Sequence, residues 1–292
     1  LTAQTGNMDL DAGNRIAVAD SVLSAATALT VDAAGADVAL DNATATAGSD
    51  LAITAKTDVT LDGSNATAST GDMGLTARDG DIALSGSHIS AKGDLIGSAD
   101  SNIALTDTSA AATDGELLLT ATNGDVSLTR ASVDAGTDLR AKAGDDIALT
   151  DSTANAGAVM DLHAGNGVTL AGSDASAGAA MTLTADAADI LLDDSNATAA
   201  TDLSLDAAGS ITLTDSSGDG DSIGSTVTAQ NGDLSLTAGD NIALDSASSG
   251  AASGNVTANA ETGDLTVIEQ SSLTAQTGNM DLDAGNRIVV AD

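Results

Sequence analysis

The chain of 292 residues contains no phenylalanine, tyrosine, tryptophan, proline or cysteine. A conventional domain of that length has a broad core packed to crystal-like density, and alanine, valine, isoleucine and leucine alone would leave voids in it. The same small side chains can fill a narrow tube. The missing prolines agree, because a proline removes a ladder donor wherever a strand is paired on both edges. The lack of cysteine suits a protein that crosses membranes unfolded or is indifferent to redox state, and equally suits the Ala/Thr/Asp bias of the composition. Positive charge is also scarce, with 8 Lys and Arg against 43 Asp and Glu and a net charge of −35. Nucleic acid and anionic membranes are poor partners for such a surface, whereas divalent cations and salt are natural ones. No apolar run approaches the roughly 18 residues of a membrane span, so no membrane insertion is expected. Leu1 falls inside the repeat pattern with no signal peptide before it, and the chain reads as an excerpt of something longer.

What is present is a phrase that returns along the whole chain. It is clearest at Gly71 to Gly86, GDMGLTARDGDIALSG, and recurs as GTDLRAKAGDDIALTD at 136 to 151 and GDLSLTAGDNIALD at 232 to 245. Each copy has a turn, a strand with an aliphatic residue at every second place, then a second turn and strand. Acidity and low complexity also suit disorder, but disordered segments lack the regularly placed aliphatics that offset chain entropy. Here the alternation is that of half-buried strands.

Aligned on this pattern, the chain divides into about 13 units of roughly 20–23 residues, each reading as three short strands joined by turns. In the second unit Leu23 and Ala25, then Leu29, Val31 and Ala33, then Val38 and Leu40 all fall on one side. The same holds for Leu117, Leu119 and Ala121 with Val126 and Leu128, and for Met160, Leu162 and Ala164 with Val168 and Leu170. Turns too short for a helical crossover mean that each strand pairs with its equivalent one unit on. The fold expected is all-β: a right-handed parallel β-helix over residues 1–292, a single solenoid segment whose coils stack at about 4.8 Å into a rod of about 60 Å. Corner residues such as Gly6 and Asn7, Asn123 to Asp125, Gly144 and Asp145, and Asn231 to Asp233 are expected to supply positive φ or local hydrogen bonds.

Three segments break the average. Asp215 to Ser222 and Asp245 to Gly254 lengthen corners and are expected to protrude as loops, and one strand is hard to place between Val256 and Gln270. The ends carry the largest regularity. Residues 1–20 return at 273–292 with Ala17 changed to Val289, so a higher-order repeat of 272 residues encloses the coil repeat. The thirteenth coil is the first coil of a further copy, and a parent with several such blocks is expected.

The phrases GSHISAKGDL (86 to 95), RASVDAGTDLRAKAGDDIALTD (130 to 151) and TAQNGDLSLTAGDNIALDSA (228 to 247) resemble the haemagglutinin repeats of filamentous haemagglutinin and other two-partner-secreted exoproteins of Gram-negative bacteria. The likeness covers essentially the whole chain. It implies the shaft of a giant secreted surface adhesin or fibre, exported through an outer-membrane secretion partner, serving attachment, cohesion or biofilm. Alternatives it leaves open are the stalk of a contact-dependent inhibition toxin carrier and a self-assembling extracellular filament or sheath subunit. The partners implied are the chain itself, end to end or through neighbouring repeats, and a surface receptor or cell-surface glycan. The Asp excess and the lack of aromatics exceed what the family leads one to expect.

His88 and His163 flank inward residues on separate coils and should face solvent, which gives no cluster for catalysis or zinc. Sugar-cleaving β-helices use aromatic platforms and basic residues, so this chain is not expected to be an enzyme. Carboxylates recur before the second strand (Asp72, Asp94, Asp138, Asp202, Asp233, Asp264) and after the third (Asp41, Asp62, Asp107, Asp151, Asp194, Asp215, Asp245). They form either a solvated acidic face screened by salt or discrete calcium sites. The best calcium candidate is Asp215, Asp219 and Asp221 around Gly220. Four Asn-x-Thr sequons, at Asn42, Asn65, Asn196 and Asn255, are expected in or beside first strands. Outward Thr pairs such as Thr182 and Thr184 are too irregular to form a flat threonine array.

Overall fold

The computed structural model describes residues 1–216, 224–246 and 248–291. Among them there is no helix: 39 short strands form three parallel sheets in a β-solenoid of 13 turns, with three strands per coil. The chain divides into two compact units, Leu1–Gly144 and Asp145–Asp292.

In the first unit, coil 1 consists of strands Thr2–Ala3, Met8–Ala12 and Ile16–Ala19, and coil 2 of Val22–Ala25, Leu29–Ala33 and Val38–Asp41. First strands continue to Ser132–Ala135, second strands to Leu139–Ala143 and third strands to Val126–Thr129. In the second unit third strands run from Ile147–Thr150, first strands from Thr153–Ala156 and second strands from Met160–Ala164. That unit ends with coil 12 (Ser249–Ala252, Val256–Ala260, Asp264–Val267) and coil 13 (Ser272–Ala275, Met280–Ala284, Arg287–Val290).

Within each unit the strands meet their equivalents without slippage. Met73, for example, lies opposite Leu51 on one side and Leu95 on the other. With a side-chain period of two, a slip of one residue would turn the whole aliphatic set outward, so burial fixes the register. The inward residues read from the sequence are buried, from Leu29, Val31 and Ala33 to Leu203, Leu205 and Ala207.

Alanine ends the inward row of every first and second strand, as at Ala47 and Ala55 or Ala177 and Ala185. The chain turns immediately after these positions. A methyl group fills the narrow corner, while Leu, Ile, Val and Met occupy the middle of the section. This division of large and small side chains lets the core close without an aromatic ring.

Two irregular segments resolve differently from expectation. Ser249–Ala252 is a strand, paired with Thr226–Ala229 and Ser272–Ala275, so the segment 245–254 is not a protruding loop. Between Val256 and Gln270 both strands are present, Val256–Ala260 and Asp264–Val267, and the irregularity lies in a turn with positive φ at Glu269 and Gln270.

Candidate functional site

The polar chemistry of the described residues is concentrated at the corners of the coils, where in most coils a side chain bonds to the neighbouring coil. At the first corner, the residue before the second strand accepts the backbone N–H of its equivalent one coil on. Asp50 Oδ1 accepts from Asp72 at 3.0 Å, Asp72 from Asp94 at 2.9 Å and Asp94 from Glu116 at 2.9 Å. In the second unit Asp202 accepts from Asp233 at 2.9 Å, Asp233 from Asn255 at 2.7 Å and Asn255 from Asn279 at 2.9 Å.

The second corner repeats the arrangement before the third strand. Asp58 accepts from Asp81 at 2.9 Å, Asp81 from Asn102 at 2.8 Å and Asn102 from Asp125 at 2.9 Å. Asp146 accepts from Gly167 at 2.8 Å, Asp189 from Ser210 at 2.7 Å and Asn241 from Asp264 at 2.9 Å. Aspartate and asparagine suit this task because a short stem places a strong acceptor beside the backbone.

These columns account for the Gly-Asp dipeptides, and not through positive φ. Of the corner glycines Gly6, Gly124, Gly144 and Gly232, positive φ occurs at Gly6 alone. A Cβ on Gly124 or Gly232 would instead overlap Oδ1 of Asn102 or Asp202, and the same holds for Gly71 against Asp50 and Gly80 against Asp58. Glycine precedes the acidic residue because the acceptor of the preceding coil occupies that space.

Positive φ is used at the third corner. Asn42, Gly63, Gly86, Asp107, Arg130, Asp151, Gly172 and Asp194 have φ between 46° and 59°. The residue that follows points inward, and in most coils it is a buried hydroxyl: Ser64, Ser87 and Thr108 in the first unit, Ser152, Ser173, Ser195, Ser225 and Ser248 in the second. Each donates to a carbonyl at its own corner, as Ser64 to Asp62 O at 2.9 Å and Ser173 to Ala171 O at 2.9 Å. Ser64, Ser87, Thr108, Ser173, Ser195 and Ser225 also accept a backbone N–H from the coil before, as Ser87 from Ser64 at 3.1 Å and Ser195 from Ser173 at 3.0 Å. The sequence reading missed this column. Its signal was the hydroxyl two places after most third strands: Gly63-Ser64, Gly86-Ser87, Asp151-Ser152, Gly172-Ser173.

Two predicted acidic columns need correction. Asp264 opens a third strand and belongs to the second corner. Asp41 and Asp62 end third strands and face each other across neighbouring coils, whereas Asp107, Asp151 and Asp194 stand one place later, at the positive-φ position. There the acids are kept apart, for the order in the first unit is Asn42, Gly63, Gly86, Asp107, Arg130. Arg130 grips Asp107 with two bonds of 2.7 and 3.0 Å. Hydrogen bonding from Arg130 holds the Asp107 carboxyl below its ordinary value, with desolvation opposing and charge attraction adding to it.

The first-corner column is the most acidic, with Asp50, Asp72, Asp94, Glu116 and Asp138 on successive coils. At about 4.8 Å per coil, each neighbouring pair repels by just under ~1 kcal/mol even in water. Arg140 answers at one end, 2.6 Å from Glu116 and 2.6 Å from Asp138. Lys56 with Asp79 and Lys92 with Asp114 also pair across coils. The lysine pairs are exposed and contribute about 0–1 kcal/mol each, while Glu116 and Asp138 are half-buried beside Arg140. The buried hydroxyls matter more, because an unsatisfied buried donor costs about 1–3 kcal/mol.

Of the predicted calcium ligands, Asp219 and Asp221 lie outside the described residues, and Asp215 follows the strand Ile211–Thr214, half-buried. His88 is exposed, and His163 Nε2 lies 2.9 Å from Asp186 Oδ2. Among the sequons, Asn65 and Asn196 open first strands, Asn42 stands at a third corner, and Asn255 belongs to the first-corner acceptor column before a second strand.

A parallel β-solenoid with hydrogen-bonded corner columns is therefore the class to which this chain belongs. Comparison with protein-family models, curated proteins and solved structures finds no match.

Proposed function

We propose that this chain is a non-enzymatic structural element, part of the shaft of a secreted bacterial surface adhesin or fibre that serves attachment and cohesion. The observation that carries this reading is the commitment of the corner side chains to coil-to-coil bonding. Groups that would face a ligand in a binding protein, such as Asp50, Asp72 and Asp94, here accept backbone N–H groups along the stack. The resemblance of the segments 86 to 95, 130 to 151 and 228 to 247 to haemagglutinin repeats supports an extracellular surface location reached through an outer-membrane partner. In such a role each coil adds backbone ladder bonds and a few buried aliphatics, each large one stabilising by roughly 1.5–3 kcal/mol.

The test is display of the chain on a bacterial surface with whole 272-residue repeats added, against a chain lacking residues 217–222. Cohesion that grows with coil number and ignores the deletion is expected. Attachment lost on that deletion, with circular dichroism unchanged, would overturn the structural reading in favour of a specific adhesin.

A further inference from the structure

The second strands of the first unit, seven in a row from Met8–Ala12 to Leu139–Ala143, share one sheet, and the second and fourth residues of each point outward. The two outward rows are sorted by charge along the stack. Asp9, Asp11 and Asp32 stand at one end, and Arg140 and Lys142 at the other. Between them one row holds Ala52, Gly74, Ile96 and Leu118, and its neighbour holds Thr54, Thr76, Ser98 and Thr120. Acid at one end, base at the other and no charge between make a face that is complementary to itself when reversed.

Three features of this face find no partner within the chain. Ile96 is 41% exposed, and outside coils 1, 2 and 13 no other large apolar side chain among the described residues is exposed. A Cβ on the adjacent Gly74 would meet nothing within 4 Å, so the row sets a notch beside a projection. Lys142 is exposed and, unlike every other Lys and Arg, forms no ion pair among the described residues. At the opposite end Asp11 faces Asp32 on the next strand, where a cation would relieve two like charges.

We propose that this face docks side by side on the same face of a second copy of the chain, about a two-fold axis running along the middle strand, Met73–Ala77. The proposal rests on the structural reading above and adds a lateral partner and its register. The axis lays the first of the seven strands over the last. Lys142 then meets Asp11 and neighbours Asp32, Arg140 meets Asp9, and Ile96 stands over Ala52 beside the notch at Gly74. Each contact occurs twice, as in any isologous dimer. The competing two-fold axis, along the stack, lays each strand over its own counterpart. It sets Asp9 over Asp11 and Arg140 over Lys142, and such like-charge juxtaposition is opposed. Seven strands of five residues cover about 500 Å² per copy. The total of about 1,000 Å² lies at the lower end of specific interfaces, so association is weak and concentration-dependent. The net charge of −35 does not forbid it, because exposed charges more than about 8 Å apart are largely screened at physiological salt.

Sedimentation equilibrium of the full chain tests this. A concentration-dependent dimer is expected for the parent, lost in Lys142→Glu and in Asp11→Lys, and regained when the two substitutions are combined in one chain. The combined variant keeps the parent's net charge, so its recovery reports the pairing of positions 11 and 142. Sheet faces pack about 10 Å apart, so a short bis-maleimide should couple Thr76→Cys to its own counterpart across the axis. Ser90→Cys, outward on a first strand, should couple far more slowly, and the chain has no cysteine of its own to compete. All these positions point outward, and circular dichroism of each variant checks the fold. A parent that stays monomeric at high concentration, a combined variant that does not recover, or equal coupling through positions 76 and 90 would overturn the proposal. Such a failure leaves the structural reading standing, because the coil-to-coil bonds that carry it lie within one chain.

Discussion

Asp72 accepts the backbone N–H of Asp94, one coil on, through Oδ1 at 2.9 Å. The same oxygen occupies the space that a Cβ on Gly93 would need. One carboxylate thus bonds a neighbouring coil and dictates the residue type beside its partner.

Gly93→Ala should destabilise by about 1–3 kcal/mol, the usual cost of forcing extra volume into a packed site. Gly74 is the control, for a Cβ there meets nothing within 4 Å and its φ is ordinary. Gly74→Ala should be stabilising by about 0.4–1 kcal/mol, through the unfolded chain. Chemical denaturation of the two variants should move in opposite directions. Adding Asp72→Ala should restore part of the loss in Gly93→Ala, since the two share one space.

Ser87→Ala removes the acceptor for the buried N–H of Ser64 and should cost about 1–3 kcal/mol. Ser87→Thr should be close to neutral, because Thr108 fills the next place in the same column with the same bonding pattern. Hydrogen exchange at the Ser64 amide is the local readout: faster in the alanine variant, unchanged in the threonine variant.

The Asp107 carboxyl is held below its ordinary value, chiefly by hydrogen bonding from Arg130. A depressed folded-state value means that the contribution is fully present above the unfolded value of about 3.9 and is lost as pH falls through the folded one. Arg130→Gln should therefore lower stability at neutral pH, and the gap to the parent chain should close as pH drops below about 4. A gap that is constant with pH would assign the effect of Arg130 to packing.

Salt should raise the melting temperature, because the column from Asp50 to Asp138 sets like charges on successive coils. Asp50, Asp72 and Asp94 already serve as backbone acceptors and Arg140 holds Glu116 and Asp138, so calcium and sodium should act equally at equal ionic strength. Thermal unfolding by circular dichroism checks this. Stabilisation by millimolar calcium well beyond that of sodium would place discrete sites on the acidic corners and return attention to Asp215, Asp219 and Asp221.

The aliphatic rows were legible in the sequence because period-two alternation leaves one assignment for each strand once the turns are marked. Leu29, Val31 and Ala33 are buried as read. The strand Ser249–Ala252 was not legible, since it lacks any aliphatic larger than alanine and is held in place by its paired neighbours. Gly250 sits close to Leu273, Leu234 and Val227, which fill the space that its own side chain lacks. The corner columns were half legible. Asp and Asn could be seen to recur, but their partners lie about one coil away in sequence, where a single-sequence pattern gives the spacing and not the bond. Ser64 and Ser87 recur once per coil, but that spacing alone does not say that the hydroxyl is buried.

The corner columns also have a direction. Carboxylates at the first and second corners receive N–H groups from the coil that follows, whereas the third-corner hydroxyls receive them from the coil before. A finished coil thus offers vacant acceptors to chain arriving from either side. Folding can then proceed as templated addition, each new turn of about twenty residues closing a short loop onto a surface already shaped for it.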